Sequence, residues 1–170
     1  MYSARAGSWR FFEGVISAMG FFRKAYSIVG ALLLLDVLVQ FFIIGAAVFT
    51  IYSEASNGTA AQKALDDSGF YFLAHAVNGA TLAVLIVLMV GFSFGARYPW
   101  RTTGLTALLF LLLAIQSVLA HTGIPLVSAL HVINGLIILG LTGALTRSNW
   151  AFGARPVQPV AAQPAATVAG

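Results

Sequence analysis

Four stretches of the chain run almost without a polar residue: Tyr26–Ile51, Phe70–Phe94, Thr103–His121 and Pro125–Thr146. Each approaches or exceeds the roughly 20 apolar residues that cross a bilayer as a helix. Thr122-Gly123-Ile124-Pro125 parts the third from the fourth, and its Gly and Pro break the helix there. A short basic connection, Gly95–Arg101, joins the second to the third, and a longer polar loop from Ser53 to Gly69 joins the first to the second. The first run is much longer than the roughly 7–15 residues of a signal-peptide core, so it is read as a span. The pattern predicts an all-α, integral membrane four-helix bundle built from two tandem helical hairpins.

Ahead of the first span, Trp9, Phe12, Ile16, Met19 and Phe22 recur at helical spacing, with Arg10, Glu13, Ser17 and Lys24 between them. That spacing predicts an N-terminal amphipathic helix lying in the membrane interface, over residues 1–25. The membrane domain follows over 26–148. Residues 149–170 are mostly Ala, Pro, Val and Gln, too poor in large apolar groups to pack, and predict a disordered cytoplasmic tail.

Composition narrows the function classes. Only 8% of the 170 residues are charged and 59% are hydrophobic, with a mean hydropathy of +0.91. A soluble domain carries about 25% charged residues, so a soluble enzyme is excluded. A nucleic-acid partner is excluded too, because the nine basic side chains form no basic stripe. The absence of Cys rules out disulfides, thiolate metal sites and Cys nucleophiles.

Arg5, Arg10, Arg23, Lys24, Arg97, Arg101, Arg147 and Arg155 fall on one side of the four spans, and Lys63 alone falls on the other. The positive-inside rule then places both termini in the cytoplasm (N-in, C-in) and the 53–69 loop outside. Tyr98, Trp100 and Trp150 stand where an inner aromatic belt belongs. The expected location is a bacterial cytoplasmic membrane, with lipids and other membrane subunits or further copies of the chain as partners.

The second and fourth spans share a motif: His75-Ala76-Val77-Asn78-Gly79 matches His131-Val132-Ile133-Asn134-Gly135. The first and third align through Ala31–Leu35 with Gln40 against Ala107–Leu111 with Gln116. His and Asn are expensive inside a membrane, so the H-x-x-N-G repeat carries more information than the leucine runs. It predicts a pseudo-two-fold axis along the membrane normal, with His75 and His131 at equal depth, about 7–8 Å below the outer end of each helix.

The polar residues admit several roles. The two imidazoles either share a ligand or make interhelical hydrogen bonds that hold the bundle together. Gly79 and Gly135 lie one turn deeper on the same face as each His. They suit either a flat macrocycle resting on the helix or close helix packing. Asn78 and Asn134 are placed to bond across the axis or to orient a ligand, and Gln40 and Gln116 add donors near mid-membrane. His121, at the outer end of the third span, is read as interfacial, either reaching a haem propionate or solvated. Asp36 is the only formal charge within a span and has no basic partner, so it is expected protonated or facing a cavity or partner subunit. No catalytic constellation is present, so the chain is not expected to be a stand-alone enzyme.

Gln40, His75 and the stretch Ala129-Leu130-His131-Val132-Ile133-Asn134-Gly135-Leu136 resemble a family of small bacterial four-span membrane proteins of unknown function, over about residues 26–147. The layout also resembles one four-helix half of haem A synthase, whose haem-ligating histidines stand near the outer ends of the second and fourth spans. By position that resemblance implies His75 and His131 as ligands. The acidic residue that precedes the first ligand in the synthases is missing, since Phe72, Leu73 and Ala74 precede His75. The likeness therefore implies haem binding but does not extend to the synthase reaction.

The leading expectation is a b-type cytochrome. It would hold one haem b between His75 and His131 near the outer face, for electron transfer or as a subunit of a larger redox complex. A second reading is a cofactor-free accessory subunit of a respiratory or light-harvesting assembly. A third is a copper or other metal-handling protein that uses His75, His121 and His131 together.

Overall fold

The computed structural model describes residues 4–153, and side chains from residue 17 onward. The expected tail beyond residue 153 and the side chains of Trp9, Phe12 and Ile16 lie outside the described residues. Five helices follow one another: α1 (Ala4–Ser56), α2 (Ala61–Asp67), α3 (Gly69–Gly95), α4 (Trp100–Ala120) and α5 (Pro125–Ser148). Four segments are long and apolar enough to cross a membrane: Ser17–Ser56, α3, α4 and α5.

Between Ala4 and Ser56 the helix runs for 53 residues without a break, about 80 Å at 1.5 Å per residue. It contains no Pro, so nothing in the sequence ends the N-terminal segment before the first span begins. The polar loop after α1 is also more ordered than the hydrophobic pattern predicts. It holds the seven-residue helix α2, about two turns, where Lys63 pairs with Asp67 at 2.6 Å.

Around the bundle the helices pack in the order α1, α3, α4, α5, with α5 returning to α1. The pairs α1/α4 and α3/α5 therefore stand on the two diagonals. That order is unchanged when α1 is exchanged with α4 and α3 with α5, which is what two tandem hairpins related along the bundle axis require.

Packing differs between the two ends. Tyr26, Val29, Leu33, Val37, Leu82, Ile86, Met89, Leu109, Ile138 and Leu145 form one buried apolar cluster. It runs from the Tyr26 end to mid-bundle, where Val37, Leu82 and Ile138 meet a cavity. The Tyr26 hydroxyl crosses the α1/α4 diagonal to Thr106 Oγ1 at 2.9 Å. Gly30 lets α1 approach α5 so closely that a Cβ there would strike Thr146. Outward faces carry large exposed apolar side chains such as Phe42, Phe49, Val84, Leu111 and Ile137, the kind of surface that meets a membrane or a protein partner.

At the Tyr26 end, α3 stops in a two-bond helix-terminating turn. The Arg97 amide donates to the Phe94 carbonyl at 3.0 Å and the Tyr98 amide to the Ser93 carbonyl at 3.2 Å. Arg97 holds the left-handed position, φ 52°, where such turns ordinarily place Gly. Pro99 then leads into α4.

Candidate functional site

The half of the bundle away from Tyr26 buries few apolar side chains, and it opens into a cavity of about 610 Å³. That volume lies within the range of small-molecule and cofactor clefts. His75, His131, Gln40, Gln116, Gly79 and Gly135 all line it, together with His121 at its rim. Asn78 and Asn134 do not line it. Phe41, beside Gln40 in sequence, is a lining residue the motif did not reveal.

His75 and His131 stand on the α3/α5 diagonal, with ring centroids 6.0 Å apart and planes at 53°. The His131 Nδ1–H donates to the Gln116 carbonyl at 2.9 Å. Because a carbonyl only accepts, this bond fixes the tautomer and leaves Nε2 with its lone pair. An Nδ1–H bonded to a backbone carbonyl is the usual orientation device for a metal-ligating His. The other ring has no such restraint, since His75 Nδ1 is buried without a partner.

The repeat recurs in the hydrogen bonds. Asn78 Nδ2 donates to the Asp36 carbonyl at 3.2 Å, and Asn134 Nδ2 to the Leu112 carbonyl at 2.8 Å. Asp36 stands one turn before Gln40 as Leu112 stands one turn before Gln116, so each Asn ties its own hairpin at the corresponding position. Neither Asn reaches across the axis.

The glycines expose their helices to the glutamines. Gln40 Nε2 donates to the His75 carbonyl at 3.0 Å, and a Cβ on Gly79 would sit 3.5 Å from that nitrogen. On α5, a Cβ at Gly135 would lie 3.4 Å from Gln116 Nε2 and 3.3 Å from the Phe41 ring. Gln116 differs from Gln40 in its bonds, because its Oε1 accepts from Asn134 Nδ2 at 2.6 Å. Gln40 Oε1 stays buried without a partner. The space before each glycine is thus shared between a glutamine amide and the cavity.

His121 caps α4, and its Nδ1–H donates to the Ser117 carbonyl at 2.7 Å. No group of three metal-ligating side chains occurs among the described residues, so the three histidines do not assemble a three-His site. Asp36 is not part of the cavity lining, and its Oδ2 is buried without a partner.

No family model, curated protein or solved structure matches this chain. The resemblances drawn from the A-L-H-x-x-N-G-L stretch and from the layout rest on those residues alone.

The donor set fits a metal held by two imidazoles. With metal–nitrogen bonds of about 2 Å, the centroids of two imidazoles sharing one ion stand roughly 5–6 Å apart, the wider spacing for the wider nitrogen–metal–nitrogen angle. The observed spacing is 6.0 Å, and the surrounding lining is mostly apolar with orphaned polar atoms at His75 and Gln40.

Proposed function

We propose that the chain is a small b-type cytochrome of a bacterial cytoplasmic membrane, with four spans and both termini inside. One haem b would be held by His75 on α3 and His131 on α5, near the outer face. The observation that carries this reading is the imidazole pair at 6.0 Å across a helix diagonal, with one ring restrained by the Gln116 carbonyl. When bound, such a group supplies reversible one-electron chemistry. The chain would contribute the imidazole nitrogens of His75 and His131, a low-dielectric wall and, at Gln40 and Gln116, amides that set the polarity beside the site. Electron transfer, alone or within a larger membrane redox complex, is the role this arrangement supports.

A cofactor-free accessory subunit is the second reading, and it draws on a different observation. Asn78, Asn134 and Gln40 all donate to backbone carbonyls of neighbouring helices, which is how polar residues join membrane helices. An absorption spectrum of the purified full-length chain separates the two. A Soret band with α and β bands that sharpen on reduction is the expected result. A colourless protein that takes up no added haem would leave the accessory reading.

A further inference from the structure

A second cavity, of about 400 Å³, lies at the opposite end of the bundle, between α1, the α3–α4 connection and the end of α5. Arg23, Lys24, Tyr98, Ser148, Asn149 and Trp150 line it, and none of its lining residues is acidic. Among the described residues the one ion pair is Lys63–Asp67, on the far side of the molecule. Among the described residues, neither cation in the pocket is paired with an acidic group.

The walls are built by a network rather than by loose side chains. Ser27 Oγ donates to the Asn149 carbonyl at 3.1 Å and accepts from the Ala151 amide at 3.0 Å, which fastens the chain after α5 onto α1. The Tyr98 hydroxyl donates to the same Asn149 carbonyl at 3.3 Å. Burial pushes the Tyr98 phenol up from its ordinary value while the Arg23 charge pulls it back. The Arg23 guanidinium lies 5.6 Å from the centre of the Tyr98 ring, within cation–π range. Its Nε is buried with no partner. A buried guanidinium donor without an acceptor is costly, and an anionic oxygen is the group that matches a planar fork of N–H donors.

We infer that this pocket binds the phosphate headgroup of an anionic membrane lipid. Arg23 and Lys24 would neutralise the phosphate, and Trp150 would lie at the headgroup level where indoles concentrate, while Ser148 and Asn149 spend their side-chain donors on the end of α5 and shape the wall. Basic pockets between spanning helices are a recurrent form of headgroup recognition. The inference rests on the membrane placement above and is independent of haem.

The test uses the full-length chain with Trp9→Phe and Trp100→Phe, so that Trp150 is the sole reporter. Reconstitution is into phosphatidylcholine vesicles carrying a minor fraction of either brominated phosphatidylglycerol or brominated phosphatidylcholine. Trp150 is expected to be quenched more strongly by the anionic lipid. Arg23→Gln and Lys24→Gln should each lower that preference about fivefold. Arg101→Gln, which removes a charge at the same end but outside the pocket, should change it by less than about twofold. Lys24 is exposed, so Lys24→Gln keeps the test valid where Arg23→Gln disturbs folding. Equal quenching by the two lipids, or an equal loss in Arg101→Gln, overturns the pocket. Loss of the preference on adding inorganic phosphate to the aqueous phase reassigns it to free phosphate and overturns the lipid. No quenching by either lipid overturns the pocket and the membrane placement together.

Discussion

His75 and His131 face each other across a diagonal of the bundle, ring centroid to ring centroid at 6.0 Å, although α3 and α5 are not neighbours in the packing order. At the other end the second diagonal, α1 to α4, is bridged by Tyr26 and Thr106. The two ends thus close differently. One is a dense apolar cluster crossed by a single hydroxyl pair, and the other is an open chamber crossed by two imidazoles.

That contrast sets the first prediction. His75→Ala and His131→Ala should each abolish a low-spin haem spectrum, because each ring is the sole imidazole that its helix brings to the chamber. His121→Ala should keep it, since His121 sits at the rim and bonds its own helix. Spectra of the three purified variants decide the matter. Retention of the full low-spin bands in either of the first two would remove that residue from the ligand pair.

Much of this arrangement is legible in the sequence. The hydrophobic runs Phe70–Phe94 and Pro125–Thr146 lie within two residues of α3 and α5, because Gly, Pro and polar clusters punctuate the chain at those points. The H-x-x-N-G repeat announces the paired chamber for a similar reason, since such polar groups are retained in a span only where they find partners. The helix α2 is not visible, as seven mostly polar residues carry no hydrophobic period. Nor is the basic pocket, which joins residues 20–24, Tyr98 and Ser148–Gly153 through contacts no local pattern encodes. The roles of the two Asn residues are half legible. Spacing places them on the motif's helix, but only the packed hairpins show that their acceptors are Asp36 and Leu112.

Asn134 should matter more to stability than Asn78. It is buried and donates to both the Leu112 carbonyl and Gln116 Oε1, whereas Asn78 makes one longer bond. Interhelical hydrogen bonds in membranes average about 0.6 kcal/mol and reach about 1.7 kcal/mol. Asn134→Ala is expected near the upper figure, because it also strands the Gln116 oxygen, and Asn78→Ala near the lower. Unfolding in mixed micelles measures both, and a reversed order would show that the two hairpins are not held as described.

Glycine replacements should split by position. A Cβ at Gly140 meets nothing within 4 Å, so Gly140→Ala should gain up to about 1 kcal/mol from helix propensity. At Gly30 the new methyl would strike Thr146, and an overpacking cost of about 1–3 kcal/mol should outweigh that gain. The same unfolding assay tests the sign. Stabilisation by Gly30→Ala would mean that α1 and α5 are farther apart than their packing indicates.

Orientation is tested by labelling from outside the cell. Ser56 ends α1 at the chamber end of the bundle, and Arg101 lies in the first turn of α4 at the Tyr26 end, so the two positions stand at opposite ends of the bundle. Arg23, Lys24, Arg97, Arg101 and Arg147 all stand at the Tyr26 end, against Lys63 at the chamber end. The positive-inside rule weighs such clusters heavily when they lie in short loops close to the spans. With no native Cys in the chain, a single Cys at Ser56 should react with a membrane-impermeant maleimide on intact cells, and one at Arg101 should react only after the membrane is opened. The reverse pattern would turn the chamber toward the cytoplasm, so that any electron passing through His75 and His131 would enter or leave on that side.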